Sequence, residues 1–360
     1  MFLTYSSDRQ EPHLSREKPP ELAKSKEFQK FRSWLDQAKR VLISTHALPD
    51  GDGLGAETAL YHYLKRARKA CRIYNPDVLP KRYRFMDPKG GILLGPGEVE
   101  LWDTCDLWII VDTNDPRHLG KLWGELSLRS KKIAFIDHHP DIVGGEVTYP
   151  PHALMISDPR SGSIGELLHM IFDELGLAKI NKDVATGLYV SVMTDTNSFR
   201  YARTTALSHQ IAAEAIGYDV NPEEIYQAIY SSKEVSHLQL LGHMLQNVKV
   251  AAGGRIAWIE LDLALRRKYQ ASSDDTQSFL NLLLLLKDAD VVCLLREEDE
   301  NSIKVSMKSK GRIVINRVAM ELGGGGHEFA AGLRSGVPMD KTVEAIVGRL
   351  ETVIKDFDRR

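Results

Sequence analysis

The chain has 360 residues, which suggests about two domains at roughly 150 residues each. Hydrophobic residues make up 43% and charged residues 27%, an ordinary globular composition with ample core material. With 47 Lys+Arg against 49 Asp+Glu the net charge is −2. That excludes a long basic track for polymeric nucleic acid and leaves a small charged substrate open.

Cys71, Cys105 and Cys293 show no CxxC and no Cys/His zinc spacing. A sparse, odd set fits a reducing compartment. The N-terminal stretch is polar and charged, without the apolar core of a signal peptide. The longest apolar run falls far short of the roughly 20 residues that a membrane helix needs. The expectation is a cytoplasmic chain with no membrane partner.

Residues 1–25 lack periodicity and read as a disordered or loosely attached tail. Residues 26–40 place Phe28, Phe31, Trp34, Leu35 and Ala38 at helical spacing. Residues 41–44 read as a short strand, 56–70 as a helix and 71–75 as a strand. The Ile-rich runs 106–111 and 131–136 end at Asp112 and Asp137. Residues 163–175 and 182–196 read as helices. Such alternation means α/β with a mainly parallel sheet, and ligands of such sheets lie outside the carboxyl ends of strands. Residues 205–247 are helical by pattern, with a helix starting at Asn221-Pro222 and a linker helix over 234–247. Residues 248–261 resemble a hairpin with a Gly-Gly turn. Residues 280–286 read as a buried helix, 290–296 and 302–308 as a strand pair, and 314–322 as a helix. The domains expected are therefore 26–233, and, beyond the linker, a smaller α/β domain over 248–356.

The acidic and imidazole residues gather where a parallel sheet collects its loops. The first strand is followed by His46, Asp50 and Asp52 in a glycine-rich turn. The next two apolar strands end at Asp112 and at Asp137-His138-His139, and a later helix carries Asp195. Taken singly, a strand-end Asp is most often a helix cap or turn residue. Taken together, crowded carboxylates repel one another and raise each other's pKa. Divalent cations are the natural compensation, and four Asp ligands balance two such ions. Oxygen and imidazole without thiolate suit Mn²⁺, with Mg²⁺, Co²⁺ or Fe²⁺ as alternatives. Paired ions are a recurring device for phosphoester hydrolysis. Gly51, Gly53 and Ala56 also fit a dinucleotide-binding GxGxxG/A pattern with Asp77 downstream. Asp50 and Asp52 would then face a pyrophosphate with no cation between, and Asp-His-His would stay unexplained.

Four consecutive glycines, 323–326, lead into His327. Such a run costs backbone entropy unless something must approach the chain closely. Gly324, Gly325, Gly326 and His327 are thus candidates for holding a phosphate or base edge. Ser306 and Lys308 lie just upstream, and Arg200 follows the fourth acidic motif as a candidate phosphate clamp. Phe199, Tyr201, Trp102, Trp108 and Trp123 read as packing residues, and residues 282–286 as core.

Together these motifs resemble the DHH phosphoesterase superfamily, with Asp137-His138-His139 matching its namesake motif. The segment 323–332 is similar to the GGGH motif of the DHHA1 substrate domain. The resemblance covers about residues 27–355, and the size and second domain look most like the nanoRNase/pAp-phosphatase branch. It implies one metal on His46, Asp50 and Asp112. A second metal would sit on Asp52, Asp112, His138 and Asp195, with Asp112 bridging. His139 would contact phosphate and help protonate the leaving group, and Asp137 would orient a ligand histidine. Asp112, His139 and Asp137 form the implied catalytic set. Two positions depart from the family pattern: Lys308 stands where Arg is usual, and Asn197 where Gly is common.

The expected function is a Mn²⁺-dependent phosphodiesterase hydrolysing short single-stranded oligonucleotides or linear dinucleotides to mononucleotides, and pAp as well. The active site is expected in the interdomain cleft. Alternatives are a cyclic-dinucleotide phosphodiesterase, an exonuclease on longer single strands and a nucleotide sensor without catalysis. Family resemblance alone suggests a homodimer.

Overall fold

The computed structural model describes residues 22–96, 104–140, 149–231, 234–271 and 279–359. Most of the expected tail (residues 1–21) and Trp102 lie outside these. The chain divides into two units at Ser231/Ser232.

The first unit runs through α1 (Lys26–Gln37), β1 (Arg40–Ser44), α2 (Gly51–Arg66), β2 (Ala70–Tyr74), β3 (Leu93–Leu94) and β4 (Leu107–Val111). It continues with α3 (Lys121–Leu126), β5 (Ile133–Asp137), β6 (Ala153–Ser157), α4 (Ile164–Leu175), α5 (Lys182–Asp195), α6 (Ala206–Gly217) and α7 (Pro222–Tyr230). Ser25 caps α1 by accepting from the Phe28 amide at 3.0 Å, and Phe28, Phe31 and Leu35 are buried. The strands form one sheet in the order β3-β2-β1-β4-β5-β6, and every pairing is parallel. Alternate residues of β1 serve opposite faces: Val41 and Ile43 join the core under α1, α2, α4 and α5, while Leu42 joins Trp108, Phe135 and Leu122 on the α3 side. The strand order reverses between β1 and β4, which opens a crevice at their carboxyl ends.

The expected glycine-rich turn before residue 56 is instead the start of a helix. α2 begins at Gly51 with Asp50 as its cap, whose Oδ1 accepts from the Asp52 amide at 3.0 Å. Its glycines serve close packing. A Cβ on Gly51 would lie 2.4 Å from the Thr194 side chain, and one on Gly55 2.6 Å from the Gly187 carbonyl oxygen.

The second unit comprises α8 (Val235–Gln246), β7 (Lys249–Ala251), β8 (Ile256–Leu261), α9 (Leu263–Lys268), β9 (Val291–Asp299), β10 (Ser302–Ser309), α10 (Asn316–Glu321), β11 (Gly325–His327), β12 (Ala330–Ser335) and α11 (Met339–Asp358). Its sheet is mixed, in the order β11-β12-β10-β9-β8-β7, with β8·β9 the parallel pair. One face packs on α10 and α11. The other packs on α8 and on Phe279, Leu280 and Leu283, so the stretch expected to be a linker helix belongs to this unit's core. The apolar run near 280–286 is not uniformly core. Its helical residues end at 283, and Leu285 is 76% exposed, because this helical turn is amphipathic and shows only one side to the sheet.

Among the described residues no helix is long and apolar enough to cross a membrane.

Candidate metal centre

The ligand-bearing residues leave the sheet at neighbouring strand ends. Asp112 follows β4 with φ at 64°, a left-handed backbone uncommon outside glycine. Its amide still donates to the Ile136 carbonyl at 3.1 Å, so sheet pairing holds the turned residue in place. The side chain is 4% exposed. Its Oδ2 lies 3.4 Å from His46 Nε2 and its Oδ1 3.6 Å from His138 Nε2. Burial acts to raise the Asp112 pKa, and the two imidazoles more than reverse this, holding the carboxyl below its usual range.

Asp52 lies in the first turn of α2 and at the amino end of α4. It accepts from the Ile164 amide at 3.1 Å and from the Ser191 hydroxyl. A helix amino terminus suits a buried carboxylate. Burial, then the Asp112 and Asp195 charges, nevertheless push Asp52 up to about 7. His138 is buried and aims Nδ1 at the Ser161 carbonyl, 3.1 Å away. That contact places the ring proton on Nδ1 and turns Nε2 toward Asp52 (3.2 Å), Asp112 and Asp195 (3.7 Å). Nε2 is a buried nitrogen that makes no hydrogen bond. Burial alone would lower the His138 pKa; as long as no cation lies between them, Asp112 and Asp52 override it and raise it, favouring a second ring proton that a metal would displace.

Three sets of ligand atoms each lie within 4.8 Å of one another: His46, Asp50 and Asp112; Asp52, His138 and Asp195; and Asp112, His138 and His139. Asp112 is shared between the first and third sets, and His138 between the second and third. An unsatisfied buried imidazole nitrogen facing a crowd of carboxylates is a donor arrangement that a hard divalent cation fits.

The remaining expected residues fall at varied places. Asp137 is fully buried and accepts from His139 Nδ1 at 2.7 Å, so it orients His139 and not His138. Arg200 is exposed and donates to Asn197, from Nε to the carbonyl at 2.9 Å. The guanidinium on the candidate ligand Asp195 is instead that of Arg203, at 2.6 Å. Asn197 has φ 49°, and Ser198 and Phe199 are also left-handed. The position therefore asks for a residue that tolerates this region, and Asn does so next best to Gly. Phe199 stacks on His209 with centroids 5.2 Å apart, whereas Tyr201, expected to pack, is 37% exposed.

In the second unit the glycine run is an edge strand. Gly323 ends the preceding helix with φ 83°. Gly325, Gly326 and His327 pair with Gly332, Ala331 and Ala330. A Cβ on Gly324 would lie 2.2 Å from the Gly332 carbonyl oxygen and one on Gly326 2.6 Å from that of Ala330, whereas Gly325 meets open space. The chain's own strand thus accounts for two of the three glycines from 324 to 326. Gly332 also pairs with Ser306, which brings Ser306, Gly332 and Gly325 into one cross-strand row. Lys308 donates to Asn281 Oδ1 at 2.8 Å, and burial pulls its ammonium below the usual value. The side chain of His327 lies outside the described residues.

Residues that the sequence reading missed hold the centre from behind. Glu166 accepts from the Gly162 amide at 2.9 Å and from Thr205 at 2.7 Å, fixing the loop whose Ser161 carbonyl orients His138. Asn75 donates to Glu57 at 2.6 Å and accepts from the Thr45 amide at 3.0 Å, bracing the residue before His46. None carries a spacing signal, since a backbone carbonyl or a loop partner leaves no periodic trace.

Residues 40–192 match the model of the DHH family, N-terminal domain, and residues 249–356 that of the DHHA1 domain. The chain carries a DHH-family N-terminal domain followed by a DHHA1 domain. It is 28% identical over 326 residues to the bifunctional oligoribonuclease and PAP phosphatase NrnA of Thermus thermophilus, covering 89% of this chain and 90% of that protein. A crystal structure of an exopolyphosphatase-related protein from Bacteroides fragilis superposes with a TM-score of 0.83 at 26% identity, over 91% of this chain and 97% of the other. A shorter match, 34% over 86 residues, joins 24% of this chain to 25% of a probable manganese-dependent inorganic pyrophosphatase of Archaeoglobus fulgidus.

Proposed function

We propose that this DHH–DHHA1 chain is a phosphodiesterase that hydrolyses short single-stranded oligonucleotides and linear dinucleotides to mononucleotides, and the 3′-phosphate of pAp. The observation that carries the reading is the interlocked donor set, with Asp112 reaching both His46 and His138. One ion would be held by His46, Asp50 and Asp112. A second would be held by Asp52, Asp112, His138 and Asp195. Manganese is supported by the oxygen-and-imidazole donors and by the likeness to a manganese-dependent pyrophosphatase. When bound, such ions neutralise phosphate charge and acidify a water.

The protein groups perform the rest. Asp112 and His138 fix the donors on rigid strand ends. Arg203 and Asn197 shape the wall beside Asp195. His139 is 28% exposed. Burial would lower its pKa, but the Asp137 carboxylate more than offsets this and raises it, which favours the charged imidazole. With Nδ1 bound to Asp137, the ring would pass its Nε2 proton to the leaving oxygen as the phosphorus–oxygen bond breaks and water oxygen takes its place. Ser306, Lys308, Gly324, Gly325, Gly326 and His327 of the DHHA1 unit would hold the far end of the substrate. That role is supported by the cross-strand row of Ser306, Gly332 and Gly325 with open space over Gly325.

Purified protein with Mn²⁺ and a labelled dinucleotide should yield mononucleotides. Rates profiled from two to about 25 nucleotides should fall steeply with length, and kcat/KM on linear dinucleotides should exceed that on cyclic ones. No turnover of pNpN, pAp or a cyclic dinucleotide by the metal-loaded protein would defeat the reading.

A further inference from the structure

α7 buries Ile225 and Ile229 in the core and leaves Tyr226 and Tyr230, one turn apart, 46% and 37% exposed. Their rings lie 4.9 Å apart with planes at 47°. The isoleucines supply the helix's buried positions, and more than a third of each tyrosine is left to solvent. α7 packs on the 3-10 turn Lys81–Met86, where Arg82 sits 5.0 Å over the ring of buried Tyr83. Arg200 is exposed and tied to Asn197. Burial and Tyr226 raise the Tyr230 hydroxyl pKa, while the Arg82 and Arg200 charges pull against them. Both guanidiniums are therefore within electrostatic reach of that ring. This rim adjoins the metal centre: the Arg200 and Tyr201 amides donate to the Thr196 carbonyl, next to Asp195, at 2.9 and 3.0 Å, and Tyr83 feels the Asp50 charge and Tyr201 that of Asp195.

We propose that Tyr226 and Tyr230, flanked by Arg82 and Arg200, form a seat for the nucleobase of a nucleotide whose phosphate lies at the metal centre. Exposed rings beside guanidiniums are the combination that stacks a base and steadies its phosphate. A protein partner would call for a broad apolar surface; here the rings are few, cationic groups flank them, and they border carboxylates that gather cations. The seat would select nucleotides over pyrophosphate or polyphosphate, which have no base. The inference rests on the nucleotide reading above.

The test is calorimetric binding of AMP and of ribose 5-phosphate to the Mn²⁺-loaded full chain. Stacking of one base predicts AMP tighter by roughly 5- to 100-fold. Tyr230→Ala should collapse that ratio and Tyr230→Phe should keep it, since stacking needs the ring and not the hydroxyl. Tyr226→Ala provides a second reading should the first variant fold poorly, which circular dichroism would reveal. A ratio near one in the wild type, or a full ratio in Tyr226→Ala or Tyr230→Ala, overturns the seat. Turnover of a dinucleotide is scored separately. Base-dependent AMP binding without turnover keeps the seat and removes the hydrolase, and turnover with no base dependence does the reverse.

Discussion

Asp112 shows how much of this centre rests on a single residue. Its φ of 64° aims the carboxylate between two imidazoles. Asp112→Asn keeps a residue that tolerates the left-handed region but removes the charge. It should cut kcat/KM by more than the roughly 10- to 100-fold typical of losing an outer partner of a metal ligand, with an unchanged far-ultraviolet spectrum. Near-normal turnover would refute its bridging role. Glu57 makes a different prediction. It is fully buried, and burial raises its pKa well above 4.5, against the Asn75 hydrogen bond and the His46 charge. The folded protein thus keeps a proton that the unfolded chain releases above pH 4.5. This group's contribution to stability is complete below that pH and is lost as pH rises toward the folded-state pKa. Urea midpoints measured from pH 4.5 upward should decline less steeply in Glu57→Gln than in wild type. Parallel curves would show that Glu57 is ionised in the fold.

At the level of elements, the crossing of α2 and α5 places Asp52 against Ser191 and near Asp195. It is close because small residues face each other: a Cβ on Gly187 would lie 2.6 Å from both the Ala59 amide nitrogen and the Gly55 carbonyl oxygen. Gly55→Ala puts a methyl against backbone, which cannot swing aside. It should cost about 1–3 kcal/mol, read by urea denaturation, and should weaken Mn²⁺ binding. Unchanged stability would mean that the helices part without penalty. The same crossing marks what was legible beforehand. Apolar runs alternating with helical periodicity disclosed the parallel sheet, and acidic clusters after those runs disclosed the ligands. The tight glycines read as a turn, because sequence records that a residue is small but not what presses on it. Arg203 on Asp195 and Asn281 on Lys308 were missed for a related reason: loops bring them together without periodicity.

At the scale of the whole molecule, each unit closes its own cores, and every candidate metal ligand lies in the first. Mn²⁺ binding stabilises only the state that holds the ligands in place, by about 2.7 kcal/mol at a hundredfold excess over Kd. Hydrogen exchange with and without Mn²⁺ should therefore slow in α2, β4, β5 and α5, with much smaller changes in β8, β9 and β10. Equal slowing in both units would show that the ions do not reside in the first alone.

The reversal of strand order between β1 and β4 also bears on how the molecule is made. Ser44 and Trp108 hydrogen-bond across that junction although 64 residues separate them, and Asp52 meets Ser191 at a separation of 139. Joining such distant segments costs chain entropy before any contact repays it. A nascent chain stopped before α5 lacks Asp195 altogether, and with it one member of the set that includes Asp52 and His138. That set closes only once α5 has packed on α2, so its completion is a late event in the assembly of the first unit.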